Sequence, residues 1–109
     1  MSSISAMTKK MAKPPSWNAM GTGTDNNVAA IYALDSNNVY VGGAFTNAGG
    51  VGTIGIAKWD GINWSAMGTG LTGNTPIGIA IHAYANNVYV GGRFTRAGGL
   101  TVNNIAVWK

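Results

Sequence analysis

Apolar and polar residues along this chain fall into short runs broken by Gly, Asn, Asp and Thr, and no run keeps a helical period. Val28 to Leu34 and Ile77 to Ala83 are apolar on both faces and rich in small residues, the pattern of strands covered on both sides. Val39 and Val41 alternate with Tyr40, and Val88 and Val90 with Tyr89, the period of two that marks a strand. Shorter apolar runs follow at Ile56-Ala57-Lys58-Trp59 and Ile105-Ala106-Val107-Trp108. Asp60-Gly61 is a hairpin signal, and it leads into a further strand at Trp64. The pattern predicts an all-β chain of short antiparallel strands.

The pattern occurs twice. Asn37 to Trp59 matches Asn86 to Trp108 with 15 identities in 23 positions at an offset of 49. Trp17-Asn18-Ala19-Met20-Gly21-Thr22-Gly23 matches Trp64-Ser65-Ala66-Met67-Gly68-Thr69-Gly70 at an offset of 47, and the loop from Leu71 to Pro76 takes up the difference. Residues 1–16 form a basic extended arm. Residues 17–109 hold two units, about 17–63 and 64–109, each of four short strands. Repetition at this period indicates a stacked or radial array.

The segments Val-Tyr-Val-Gly-Gly, Phe-Thr-x-Ala-Gly-Gly and Trp59-Asp60-Gly61, followed by Trp64-Ser65-Ala66-Met67, resemble a Kelch-like blade. The resemblance is closest to bacterial and viral propeller repeats, and it covers residues 17–109. It implies a β-propeller with two four-stranded antiparallel blades per chain, Val28/Ile77 innermost and Trp17/Trp64 outermost. The second unit ends at Lys109, short of the Asp-Gly turn and outer strand. The expectation is therefore a blade completed between subunits: Trp17, Asn18, Ala19 and Met20 of one copy pair with Ile105, Val107 and Trp108 of the next. Such a heterologous contact closes into a ring when the rotation permits. Two blades per chain give even totals, which favours a homotrimer or homotetramer over a pentamer.

Charge adds one feature. The net charge is +4, of which Lys9, Lys10 and Lys13 contribute three within a stretch that has no acid. The arm is expected to grip a neighbour or a larger assembly such as a viral or phage particle. The nearly neutral body is not a nucleic-acid-binding face. Charged residues make up 9% of the chain against roughly 25% in an average domain, which suggests a largely covered surface. There is no cysteine, no secretory signal and no membrane-length apolar run. Intracellular synthesis or association with a virion is expected, and no membrane partner.

Chemistry has few residues to work with. Gly68 to Gly73 spells a dinucleotide fingerprint, but a strand follows where a helix is needed. His82 is the only histidine and is expected to be buried or to line a channel, with Ala33 as its counterpart in the first unit. Asp25 and Asp35 sit in turn-forming contexts, and the four tryptophans are expected to pack between blades. No catalytic residue, cofactor or metal site is expected. Arg93 and Arg96 replace Ala44 and Asn47 in a copied stretch and are the candidates, with His82, for contact with a partner. The expected role is a non-enzymatic structural ring. A glycan-binding, lectin-like propeller and an engineered or fragmentary propeller stand as alternatives.

Overall fold

A computed structural model describes residues 14–73 and 77–109; the arm lysines Lys9, Lys10 and Lys13, and the end of the Leu71–Pro76 loop, lie outside them. Every regular element among the described residues is a strand. The first structural unit takes in Trp64–Ala66 from the head of the second repeat and comprises β1 (Val28–Asp35), β2 (Asn38–Gly43), β3 (Asn47–Ala48), β4 (Val51–Gly52), β5 (Ile56–Trp59) and β6 (Trp64–Ala66). The second unit has β7 (Leu71–Thr72), β8 (Ile77–Tyr84), β9 (Asn87–Arg93), β10 (Arg96–Ala97), β11 (Leu100–Thr101) and β12 (Ile105–Trp108). The main sheets run β1-β2-β5-β6 and β12-β9-β8, all antiparallel. The chain is an all-β protein of several antiparallel sheets.

Directly opposed residues in an antiparallel pair share a face, so the register sorts the side chains. In the first sheet Tyr32, Tyr40 and Lys58 lie on one face together with Ile56. The other face carries Ile31, Ala33, Val39, Val41, Ala57, Trp59 and Trp64. In the second sheet His82, Tyr89 and Val107 share a face with Ile105, while Ile81, Ala83, Val88, Val90, Ala106 and Trp108 share the opposite one. The largest apolar cluster forms between the sheets. Tyr40 and Ile56 pack with Ala83, Val88 and Val90, joined by Met67, Leu71 and Phe94. A second cluster of Val41, Phe45, Ala48 and Ala57 lies within the first unit, closed by Val39 and Trp64.

The inner strands depart from expectation in two ways. They are not covered on both sides: Ile31, Val28, Leu34 and Ile79 are exposed, because β1 and β8 are sheet edges. Their alignment also shifts. Tyr84 and Asn87 are joined by Ala85 and Asn86, both at positive φ (48° and 71°), the two-residue turn whose twist suits a hairpin. The first unit turns instead through Asp35-Ser36-Asn37-Asn38. There the Asp35 carboxylate accepts from the Asn37 N–H and the Asn38 side-chain amide, and the register slips at Leu34. The extra residue makes Tyr32, opposite Tyr40, the counterpart of His82, opposite Tyr89. Ala33 is not.

Two small sheets flank the main ones, and only the turn between their strands was legible. Gly49 and Gly50 (φ 58° and 81°) turn β3 into β4, and Gly98 and Gly99 (57° and 84°) turn β10 into β11. β7 adds to β10 through Leu71 opposite Ala97, and Thr24 bridges Ala48 in the corresponding way.

The second glycine of each Val-Gly-Gly pair is required by space. A Cβ on Gly43 would collide with the Asn27 carbonyl oxygen, and one on Gly92 with that of Ile77. Gly52 is roomy: the nearest atom to an added Cβ, Asn47 Oδ1, is 3.9 Å away. Gly43→Ala and Gly92→Ala are therefore expected to lower stability by about 1–3 kcal/mol in urea unfolding, and Gly52→Ala by less than about 0.5 kcal/mol. Equal losses at all three positions would remove the steric explanation.

Candidate assembly interface

β12 shows what a neighbour would meet. In the first unit β5 is paired on both edges, with β2 and with β6. Among the described residues β12 pairs only with β9, leaving its outer N–H and C=O groups unpaired. Its side chains are open as well. Ile56 is 3% exposed whereas its counterpart Ile105 is 66% exposed; Tyr40 is 8% exposed and Tyr89 42%. Val107 and Trp108 are also exposed. The face of the second sheet that bears Tyr89 and Ile105 thus corresponds to the face of the first sheet that is buried in the junction. On the opposite face of the first sheet Val41 and Ala57 are buried under Phe45 and Ala48, but Ile31 is 67% exposed while its counterpart Ile81 is partly buried in the junction.

Residues 14–20 have no regular structure, and Trp17 is fully exposed. The segment from Met20 onward is anchored. The Met20 carbonyl accepts the Trp64 indole N–H (2.8 Å) and the Gly23 N–H (3.0 Å), and Gly23 O accepts from Gly49 N (2.7 Å). The second unit repeats the turn, with Gly70 N donating to Met67 O (3.0 Å) and Gly98 N to Gly70 O (2.8 Å). Gly21, Gly23, Gly68 and Gly70 all take positive φ here, and β7 begins directly after Gly70, so the glycine-rich stretch is a turn. Trp59 and Trp64 pack on each other, with ring centroids 5.3 Å apart and planes tilted by 58°. The two predicted partners, Trp17–Met20 and Ile105–Trp108, are not brought together in one chain. Met20 is pinned beside Trp64 on the first unit, and Trp108 lies over Gly68 beside the second.

The remaining candidates separate. His82 is exposed, not buried; its ring lies against Tyr32, with centroids 4.9 Å apart and a 56° tilt. Arg93 and Arg96 are both exposed, and the Arg96 guanidinium donates to Gly99 O (2.8 Å), closing its own hairpin. Sequence reasoning missed the role of Trp64 as a plug over Gly21 and Gly49. The duplication of Trp-x-Ala-Met ahead of each glycine turn was the available signal. Comparison with family models, with curated proteins and with solved structures finds no match for this chain.

Asp25 fastens the anchored segment to the hairpin after β2. Its carboxylate accepts from the Thr46 hydroxyl (2.7 Å), Thr46 N–H (2.8 Å), Asn47 N–H (3.1 Å) and the Asn47 side-chain amide (3.2 Å). The Thr46 hydroxyl first, then these N–H groups, hold its pKa far below the ordinary carboxylate range. A folded-state pKa below the unfolded one gives stability that is complete above the unfolded value, about 3.9, and is lost as pH falls through the folded one. Urea midpoints measured from pH 7 down to pH 2 are expected to fall on acidification below about pH 4. In Asp25→Asn the midpoint at pH 7 should be lower and the acid limb shallower. Parallel profiles for the two proteins would show that Asp25 does not carry the effect.

Proposed function

We propose that this chain is a non-enzymatic structural subunit that joins copies of itself into a closed β-propeller ring, each chain supplying two blades. The resemblance of its repeats to Kelch-like blades supports the architecture. The observation that carries the reading is the burial difference between equivalent residues. Tyr40 and Ile56 are covered by the second sheet, whereas Tyr89 and Ile105 are open. A second copy presenting its first-sheet face, with Ile31 and Val39, to Tyr89 and Ile105 would reproduce the junction already formed within the chain.

Such a contact is heterologous, and repeated around an axis it closes when the rotation per subunit divides a full turn. Three or four copies give six or eight blades, within the usual range. Each large apolar side chain covered contributes about 1.5–3 kcal/mol. Tyr89, Ile105, Val107 and Ile31 together offer at most about 6–12 kcal/mol, of the same order as an association cost of about 4–15 kcal/mol. In this reading the basic arm with Lys9, Lys10 and Lys13 reaches to a neighbouring subunit or to a larger particle such as a viral shell, and Arg93 and Arg96 line a rim repeated once per subunit.

Native mass spectrometry is expected to show three or four protomers for the parent chain and a monomer for Ile105→Asp, which places a charge on the open face. A parent chain that stays monomeric at tens of micromolar would overturn the ring. A glycan array on the purified ring is expected to be silent; saturable binding there would instead favour a lectin.

A further inference from the structure

The second unit holds a preformed seat for an indole ring, and we infer that Trp17 of a second copy fills it. The inference rests on the ring reading for the source of the ligand, but the seat is defined by the chain alone. Its template is Trp64. That ring packs on the cluster of Val41, Ala48 and Ala57, lies beside Trp59, faces Gly21 and Gly49, and donates its N–H to Met20 O.

Moving these positions forward by the repeat offsets gives Val90, Ala97, Ala106, Trp108, Gly98 and the Met67 carbonyl. All six residues line one apolar cavity of about 220 Å³, opened between the two units. Among these matched positions the difference is the indole; Ile56 and Leu71 form the far wall of the cavity. Ala48 and Ala57 are fully buried, and their counterparts Ala97 and Ala106 are partly exposed. A Cβ on Gly49 would run into the Trp64 ring, whereas one on Gly98 would meet nothing within 4 Å. The neighbouring wall is already formed. A Cβ on Gly68 would lie 3.3 Å from the Trp108 ring, as one on Gly21 would lie 3.6 Å from Trp59.

The occupant is set by sequence and by reach. Trp17-Asn18-Ala19-Met20 repeats the order Trp64-Ser65-Ala66-Met67, and Trp17 is fully exposed. It cannot serve its own chain. Met20 is pinned beside Trp64, on the face of the first sheet turned away from the second unit. Three residues from Met20 span about 11 Å at most, little more than the ~10 Å between packed sheets, so they cannot cross the first sheet and enter the cavity beyond it. In the seat, Trp17–Ala19 would pair with the open edge of β12. The register would copy β5 with β6, where Trp59, Lys58 and Ala57 oppose Trp64, Ser65 and Ala66. Trp108 would then oppose Trp17, Val107 oppose Asn18 and Ala106 oppose Ala19, and the Trp17 N–H would reach Met67 O.

A peptide of residues 14–23 carrying 5-fluorotryptophan at Trp17, added to the Trp17→Ala chain, tests this by fluorine NMR. A shifted, broadened and saturable resonance is expected, and the same peptide with Ala at that position should not compete with it. Ala106→Leu, which fills the seat from β12, and Gly98→Ala, whose new methyl meets the indole, should each weaken binding by about tenfold or more, a loss of roughly 1.4 kcal/mol. Because Gly98 has positive φ, the control is Gly99→Ala, equally strained in the same turn but at the counterpart of Gly50, where a Cβ would not meet the Trp64 ring; it should bind the peptide as its parent does. A fluorine signal unchanged on addition of the Trp17→Ala chain, or equal binding by both seat variants and their parent, would overturn the seat. A parent ring of normal mass would in that case leave the assembly reading standing. A monomeric parent whose Trp17→Ala form still binds the peptide would do the reverse.

Discussion

An antiparallel sheet with apolar residues on both faces must cover both, and the main cover this chain supplies is the packing of Tyr40 and Ile56 on Ala83, Val88 and Val90. The opposite face of the first sheet is covered only where Phe45 and Ala48 lie over Val41 and Ala57, and the Tyr89 face of the second is largely open. Everything that holds the two units together feeds this junction. Met67 and Leu71, on the connection, are buried in it, and Leu71 N donates to Ile54 O (2.8 Å). Gly70 lets the connection approach Ile54 so closely that a Cβ would not fit. The linker is thus docked along the junction, and the angle between the sheets is set by main-chain contacts as well as by side-chain volume.

The few charges serve the turns. The Asp60 carboxylate accepts from the Asn63 and Ile62 N–H groups, which lower its pKa in that order. Asp35 does the same for the β1–β2 turn, through the Asn38 side chain and then the Asn37 N–H. With Asp25 committed to Thr46 and Asn47, all three carboxylates of the chain organise local loops. None is placed to hydrate a sheet face. The open faces therefore remain apolar, a property of single chains that carry an interface.

Alternation and turn chemistry made the long strands legible: Val39/Tyr40/Val41 and Val88/Tyr89/Val90 lie in sheets, and Asp60-Gly61 turns β5 into β6. The slip at Leu34 was not legible. It depends on whether a two-residue turn takes positive φ at both positions, as Ala85-Asn86 does, and alanine carries no signal for that conformation. The choice moved the counterpart of His82 from Ala33 to Tyr32. Two-residue strands such as β3 and β10 are too short for any periodicity, and arise because the Gly-Gly turn returns the chain on itself. The exposure of β1 was misjudged for another reason: composition records that a strand is apolar, but not whether the layer that covers it belongs to the same chain. At the candidate assembly interface the repeated Trp-x-Ala-Met is legible in the sequence, yet only the contrast between the Trp64 site and its open counterpart supports the partner proposed for it.

Divergence between the two units bears on the same point. Where Lys58 stands on β5, Val107 stands on β12, and Val107 is on the open face with Tyr89 and Ile105. An isolated face in contact with water would gain from a lysine there, since its ammonium stays hydrated while its stem covers neighbouring carbon. The second unit instead loses a charge where exposure is greater. Its added charges are Arg93, the last residue of β9, and Arg96, in the β10–β11 hairpin, both at the end of the sheet away from Val107 and Tyr89. Replacing a lysine by valine in the middle of an open face is the reverse of what solubility alone would favour. Coverage of that face by a layer equivalent to the one over Tyr40 and Ile56, as in the proposed ring, would account for it.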